Sequence, residues 1–382
     1  MKLLIHDLNE TEWNKISQDY AGWRVISDNG SIRPCAGCFG CWLRTPGECV
    51  IKDGYDRMGA LIHEADEMVI MSRYTYGGFS RFVKNVMDRS IGLVLPYFEI
   101  KDGEMHHRKR YPEDKAVTFI FRGKELSPED KADAKAYVEA VCRNFHATIK
   151  DIKFEEDNSP ASKANEPQKS PNADGKTVLL NGSPRGDNAN SKRFLDTLSG
   201  FIRGEKETVN LSAYQNKPDE LVAVLADCER IVLAFPMYVD GIPSPLLGIM
   251  EKLQNCASGN KKIYAVVNMG FYESRQIKNV LKQIRNWCGL CGYSYCGAVA
   301  IGAGEMMGQL IKVINAPGGP VKYVFEALRT LGDAINRSAS IEDIYADAYR
   351  FPRSAYIFMA HSGWRKACKN NGLRKKDLLR QG

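Results

Sequence analysis

One succession of residues occurs twice in this chain, and it constrains the fold more than any other feature. Glu67 to Met71 is a short aliphatic run, followed by Arg73, a glycine-containing loop at Gly78-Phe79-Ser80 and a helical stretch through Met87-Asp88-Arg89. The same order returns as Arg230 to Ala234, Pro236, Gly241-Ile242-Pro243 and Met250-Glu251-Lys252. Lys2 to Ile5 is matched by Lys176 to Leu179, and Ala116 to Phe121 by Ile263 to Val267. Aliphatic runs of strand length alternating with amphipathic helical stretches are the mark of a parallel α/β sheet. A duplicated pattern of this kind predicts two such sheets in tandem. The spacing between the first two landmarks is longer in the N-terminal half, and the extra residues fall where four cysteines cluster.

Between the halves the composition changes abruptly. Residues 155–175 carry prolines and polar side chains and almost nothing apolar, which reads as a linker. The expected organisation is a first α/β domain over 1–154, the linker over 155–175 and a second α/β domain over 176–382 that ends in a helical tail. At 382 residues the chain exceeds what one core usually serves, in keeping with two domains. No window is long and apolar enough for a membrane-spanning helix, and the N-terminus lacks the apolar stretch of a signal peptide. The expectation is a cytoplasmic protein.

The net charge of +7 is mild for this length and not gathered in one arm, so nucleic acid is not an expected partner. The densest basic run, His106 to Arg110, reads as solvated surface. Eleven cysteines without an export signal argue against a disulfide framework, so their spacing is read for metal or redox chemistry.

Thr177 to Leu180 runs directly into Asn181-Gly182-Ser183-Pro184-Arg185-Gly186 and on to Asn190-Ser191, and a helical stretch, Lys192 to Ile202, follows. A strand, a small polar turn and a helix start present backbone N–H groups and the positive helix end to an anion. The loop is neither a Walker loop nor Gly-x-Gly-x-x-Gly. The hydroxyls of Ser183 and Ser191, the Asn190 amide and the Arg185 guanidinium suit one terminal phosphate monoester. An ordinary polar turn capped by Asn190 or Ser191 is the alternative.

Gly182-Ser183-Pro184-Arg185 followed by Asn190-Ser191, then Pro236-Met237-Tyr238, then Asn268-Met269-Gly270-Phe271, resembles the flavodoxin-like NAD(P)H-dependent FMN reductases and quinone reductases. The resemblance covers Lys176 to about Met307 and continues through Phe351-Pro352-Arg353 and Gly363-Trp364-Arg365. It implies two flavodoxin-like doubly wound domains, with FMN in the second. Ser183, Arg185, Asn190 and Ser191 would hold the FMN phosphate. Pro236, Met237, Tyr238 and Val239, with Asn268, Gly270 and Phe271, would frame the ring. NAD(P)H would be the co-substrate, stacking on an exposed flavin face without a motif of its own. The flavin carries the chemistry in such enzymes, so no catalytic side chain is named.

The N-terminal half departs from this pattern where it matters. Its first strand ends in His6-Asp7-Leu8-Asn9-Glu10, placing Asp7 and Glu10 where they would repel a phosphate. Arg73-Tyr74-Thr75-Tyr76-Gly77-Gly78 replaces the Pro-x-Tyr loop, so this half is not expected to bind FMN by itself.

Cys35, Cys38 and Cys41 stand at three-residue steps, and Cys49 follows after seven residues. Three thiols in one tight loop suit a [4Fe–4S] cube better than zinc, which usually takes two separate knuckles. The spacing also resembles that of the iron–sulfur flavoproteins, whereas related flavin reductases carry similar cysteines without a cluster. Free or redox-reversible thiols and zinc stand as the alternatives. Cys288, Cys291 and Cys296 read as core thiols, as do Cys142, Cys228, Cys256 and Cys368.

These readings converge on an FMN-dependent oxidoreductase. It would take reducing equivalents from NAD(P)H or a ferredoxin-like carrier and pass them to a flavin, quinone or similar small acceptor. The halves would form an intramolecular pseudo-dimer, with further pairing of chains left open. A non-catalytic electron carrier or redox sensor is the alternative.

Overall fold

The computed structural model describes residues 1–156, 175–214, 216–226, 228–255, 260–314 and 316–381. Most of the expected linker, residues 157–174, and Cys256 lie outside the described residues. The chain divides into two compact units, one comprising Met1–Ala161 with Ile357–Gly382 and the other Ser162–Tyr356.

The first unit contains strands β1 (Lys2–His6), β2 (Arg24–Ile26), β3 (Glu67–Arg73), β4 (Val94–Lys101), β5 (Glu104–Lys109), β6 (Lys115–Gly123) and β7 (Ala147–Glu156). Five of them form a parallel sheet in the order β2-β1-β3-β6-β7. Leu3, Leu4 and Ile5 are fully buried, as expected of strands covered on both faces. The helix Pro128–Phe145 begins at Ser127, whose side chain and Asp130 form a reciprocal capping box. β4 and β5 make a separate antiparallel hairpin.

The hairpin corrects the reading of the basic run. Along β5 and just beyond it, His106 and Arg110 are buried, while Arg108 is exposed. The three share one parity, so strand alternation does not separate them; buried partners do, and His106 Nδ1 lies 2.7 Å from Asn144 Oδ1. Arg110 donates from Nε to the Gly92 carbonyl at 2.6 Å and from a terminal nitrogen to the Leu378 carbonyl at 2.9 Å. Burial brings its guanidinium down to about 10.

The C-terminal tail also differs from expectation. The sequence places it with the second domain, but Ile357–Gly382 groups with the first. The physical reason is packing: Cys368 and Leu378 share a small core with Leu95 and Tyr97, against which Leu43, Trp364 and Leu373 lie.

The second unit contains β8 (Thr177–Asn181), β9 (Lys206–Asn210), β10 (Arg230–Pro236), β11 (Lys262–Asn268), β12 (Ser294–Ile301) and β13 (Ile344–Ala346). They form a parallel sheet in the order β13-β12-β11-β10-β8-β9. Counting within each unit, and leaving aside the hairpin and the edge strand β13, both sheets run 2-1-3-4-5. This is the flavodoxin-like order, whose ligands bind at the carboxyl ends of the strands beside the point where the order reverses. Cys288, Cys291 and Cys296 are buried in this unit, as Cys142 and Cys368 are in the first. No helix among the described residues is long and apolar enough to cross a membrane.

Candidate functional site

At the carboxyl end of β8 the chain makes a tight turn and enters the helix Asn190–Ser199. The N-cap is Ala189, which contributes no side-chain bond, so the first N–H groups of the helix lack a side-chain cap. Asn190 and Ser191 are therefore the first helical residues and not caps. The turn itself is set by Asn181, whose Nδ2 donates to the Gly186 carbonyl at 2.9 Å while its Oδ1 accepts from the Ser183 N–H at 3.2 Å. Ser183 Oγ accepts from the Arg185 N–H at 3.3 Å.

Hydrogen bonds tie this loop to those following β10 and β11. Ser191 Oγ donates to Asn268 Oδ1 at 2.6 Å, and the Met237 N–H donates to the Asn268 carbonyl at 2.8 Å. Ser183, Asn190, Ser191, Met237, Asn268 and Phe271 are buried, whereas Arg185, Pro236, Tyr238 and Val239 are half-buried and Gly270 is exposed. A Cβ on Gly270 would meet nothing within 4 Å, so its backbone is open to a ligand's approach. Its carbonyl is already taken by the Tyr356 hydroxyl at 2.6 Å. Arg353 further braces the loop, donating to Glu273 at 2.7 Å.

The Pro-x-Tyr loop turns sharply at Tyr238, whose N–H and carbonyl pair with Gly241 at 3.1 and 2.9 Å. Val239 and Asp240 between them both have positive φ, 41° and 57°. Positive φ at both central positions is the type I′ arrangement, which a β-branched residue adopts only under strain.

Sequence reasoning missed Glu305. Its Oε2 accepts from Asn190 Nδ2 at 2.7 Å and lies 3.7 Å from an Arg185 terminal nitrogen. Two of the groups expected to hold a phosphate thus hold a carboxylate of the chain itself. An internal carboxylate is a fair stand-in for the anion such a donor set attracts, and with the helix N-terminus it makes the loop's chemistry fit a phosphate monoester. The signal in the sequence was Gly304 and Gly308 flanking Glu305 at helical spacing.

No family model and no curated protein matches the chain. Among solved structures, the azoreductase of Bacillus anthracis str. Sterne aligns over 42% of this chain and 99% of its own, at 12% identity and a TM-score of 0.32. The flavodoxin-like assignment rests on the strand order of the two sheets.

In the first unit the corresponding strand end is filled. Asp7 accepts from the Arg73 N–H at 3.0 Å, and burial pushes its carboxyl up, against the Ser80 and Arg73 hydrogen bonds that pull it down. His6 stacks on Trp13 with ring centroids 4.6 Å apart. Its Nδ1 accepts from the Leu8 N–H at 3.1 Å. Glu10 is exposed at the first turn of the helix Glu10–Ile16.

The cysteine loop is organised by Arg89, at the end of the buried helix Arg81–Arg89. Its Nε donates to Cys49 Sγ at 3.1 Å, and its two terminal nitrogens grip the Asp53 carboxylate at 2.9 Å each. The remaining N–H groups reach the carbonyls of Arg33 and Ile51 at 2.7 and 2.9 Å. Backbone N–H groups approach two of the sulfurs, Gly40 to Cys38 at 3.4 Å and Ile51 to Cys49 at 3.5 Å. Cys35 is pushed up to about 12 and Cys41 well above the ordinary thiol value, chiefly by burial. Among the described residues no three His, Cys, Asp or Glu side chains are arranged to hold a metal ion. The loop has the ligand types for a cluster but not the ligand geometry. Phe39 and Trp42 stack at 5.4 Å, and Trp364 meets both edge-on at 5.3 Å, which fixes the loop's short helix Gly40–Leu43.

Proposed function

We propose that the second unit binds FMN and that the protein is an FMN-dependent oxidoreductase. The observation that carries this reading is the convergence of Arg185 and Asn190 on an anion at the carboxyl end of the sheet, beside a helix N-terminus with no side-chain cap. Ser183, Arg185, Asn190 and Ser191 would hold the phosphate. Tyr238, half-buried, and the open backbone at Gly270 would offer the ring a platform and a polar edge, beside the buried Met237 and Phe271.

FMN, when bound, supplies the hydride and single-electron chemistry. The chain's own residues bind, orient and exclude water. The Ser191–Asn268 bond keeps the first and third loops in register, and Tyr356 and Arg353 hold the third loop against movement. NAD(P)H is the proposed electron source and a flavin, quinone or similar small molecule the proposed acceptor.

The test is an absorption spectrum of anaerobically purified protein before and after dithionite, with iron and zinc assayed on the same sample. A two-band flavin spectrum lost in Ser183→Ala/Arg185→Ala supports the flavin site; no flavin and no FMN uptake by the wild type refutes it. About four iron atoms per chain would establish a [4Fe–4S] centre. Steady NAD(P)H oxidation with an artificial acceptor separates an enzyme from a carrier.

A further inference from the structure

We infer that Glu305 is a displaceable internal competitor for the phosphate of the ligand, setting how tightly the second unit takes a phosphorylated flavin. The inference rests on the flavin reading above and adds to it a residue that sets affinity.

Three observations support it. First, Glu305 is placed by close packing and not by a long reach from elsewhere. A Cβ on Gly308 would stand 2.4 Å from Asn190 Oδ1, and one on Gly304 2.9 Å from the Met269 carbonyl. With glycine at both positions, the helix Gly304–Leu310 lies directly against the phosphate loop. Second, the Asn190 amide is oriented toward Glu305. Asn190 Oδ1 accepts from Arg193 at 2.6 Å, and Arg193 also donates to the Gly308 carbonyl at 3.2 Å, which leaves Nδ2 to donate to the Glu305 carboxylate.

Third, the contact is of a kind that a ligand can displace. The Glu305 side chain is 51% exposed, so water can receive it when it leaves. The carboxylate at the first strand's end in the first unit, Asp7, is by contrast fixed by the Arg73 N–H and by burial. An incoming phosphate monoester would need Arg185 and Asn190, and a carboxylate beside it would repel it. Binding therefore includes the release of Glu305.

Glu305→Gln keeps the shape and removes the charge. The full-length protein, stripped of flavin, is titrated with FMN and with riboflavin, which lacks the phosphate. The expected result is about five- to tenfold tighter FMN binding in Glu305→Gln, with riboflavin affinity unchanged. Glu305→Ala should behave in the same way. FMN affinity within twofold of wild type, weaker FMN binding, or an equal gain for riboflavin would each overturn the inference while leaving the flavin site standing. No FMN binding by either protein would overturn the flavin reading and this inference with it.

Discussion

Val239 occupies in the second unit the turn position that Tyr76 occupies in the first. Their φ angles are 41° and 55°. Each begins the two-residue tip of a turn closed by reciprocal backbone hydrogen bonds, Thr75 with Gly78 at 3.0 and 2.9 Å and Tyr238 with Gly241 at 3.1 and 2.9 Å. The same turn at the same place in the two sheets is what a duplication would leave. In the first unit a glycine follows at the second tip position, Gly77, whereas in the second unit Asp240 stands there with φ 57°.

The strain at Val239 has a measurable consequence. A β-branched residue in left-handed backbone costs about 1–3 kcal/mol, whereas asparagine tolerates the conformation. Val239→Asn should therefore stabilise the second unit by about 1 kcal/mol, equivalent to about 2–4 °C in Tm for a unit of this size. An unchanged or lower urea midpoint would show that the turn is not strained by its valine.

The Ser191–Asn268 bond joins two buried side chains across the candidate site. Ser191→Ala leaves Asn268 Oδ1 without this donor, at a cost of about 1–3 kcal/mol. It should also weaken FMN binding, because the first and third loops lose register. Denaturation and flavin titration of one preparation check both; a loss of stability with full FMN affinity would confine the bond to structure.

The sheets were legible because their strands are buried on both faces and so read as continuous aliphatic runs, as in Val178 to Leu180 and Ile231 to Phe235. The turn after β8 was legible for a related reason, since Asn181-Gly182-Ser183-Pro184 is a run of turn-forming residues directly after an aliphatic strand. Val239 was not, because a β-branched residue conceals a turn that glycine or asparagine would announce. Arg110 and Trp364 were misplaced because their partners lie far along the chain, at Leu378 and at Phe39 and Trp42. Glu305 gave no signal of its own; only the glycines beside it carry the geometry.

Acid should act on the two units differently. All six histidines lie in the first unit. Burial pushes His6 down to about 4 and His107 to about 3, and lowers His106, His146 and His361 as well. An unfolded histidine titrates near about 6.5, so below that pH the unfolded first unit binds more protons than the folded one. Its stability is fully present above about 6.5 and is lost as pH falls toward about 4. Hydrogen exchange compared at pH 7 and pH 5, corrected for intrinsic rates, should show protection falling in β3 and β6 but holding in β10 and β11. Equal losses in both sheets would sink this account.

Arg89 carries the sharpest prediction for the cysteine loop. All five of its N–H donors find acceptors: Cys49 Sγ, two carbonyls and both oxygens of Asp53. The pair is dry, with side-chain exposures of 0% and 7%. Burial raises the Asp53 carboxyl, but the Arg89 hydrogen bond and the Arg33 N–H outweigh it and hold the group down at about 2. Arg89→Met leaves that carboxylate buried without its partner, which costs about 3–5 kcal/mol. It also frees residues 33–53 from the anchor they share. Arg89→Lys should recover only part of the loss, because an ammonium has three donors and no planar fork. Cys41, buried in the wild type, and Cys35, half-buried, should then react with a thiol reagent such as DTNB at a rate approaching that of exposed Cys38. Wild-type labelling rates and an unshifted denaturation midpoint in Arg89→Met would mean that the loop is held by Phe39, Trp42 and Trp364 alone.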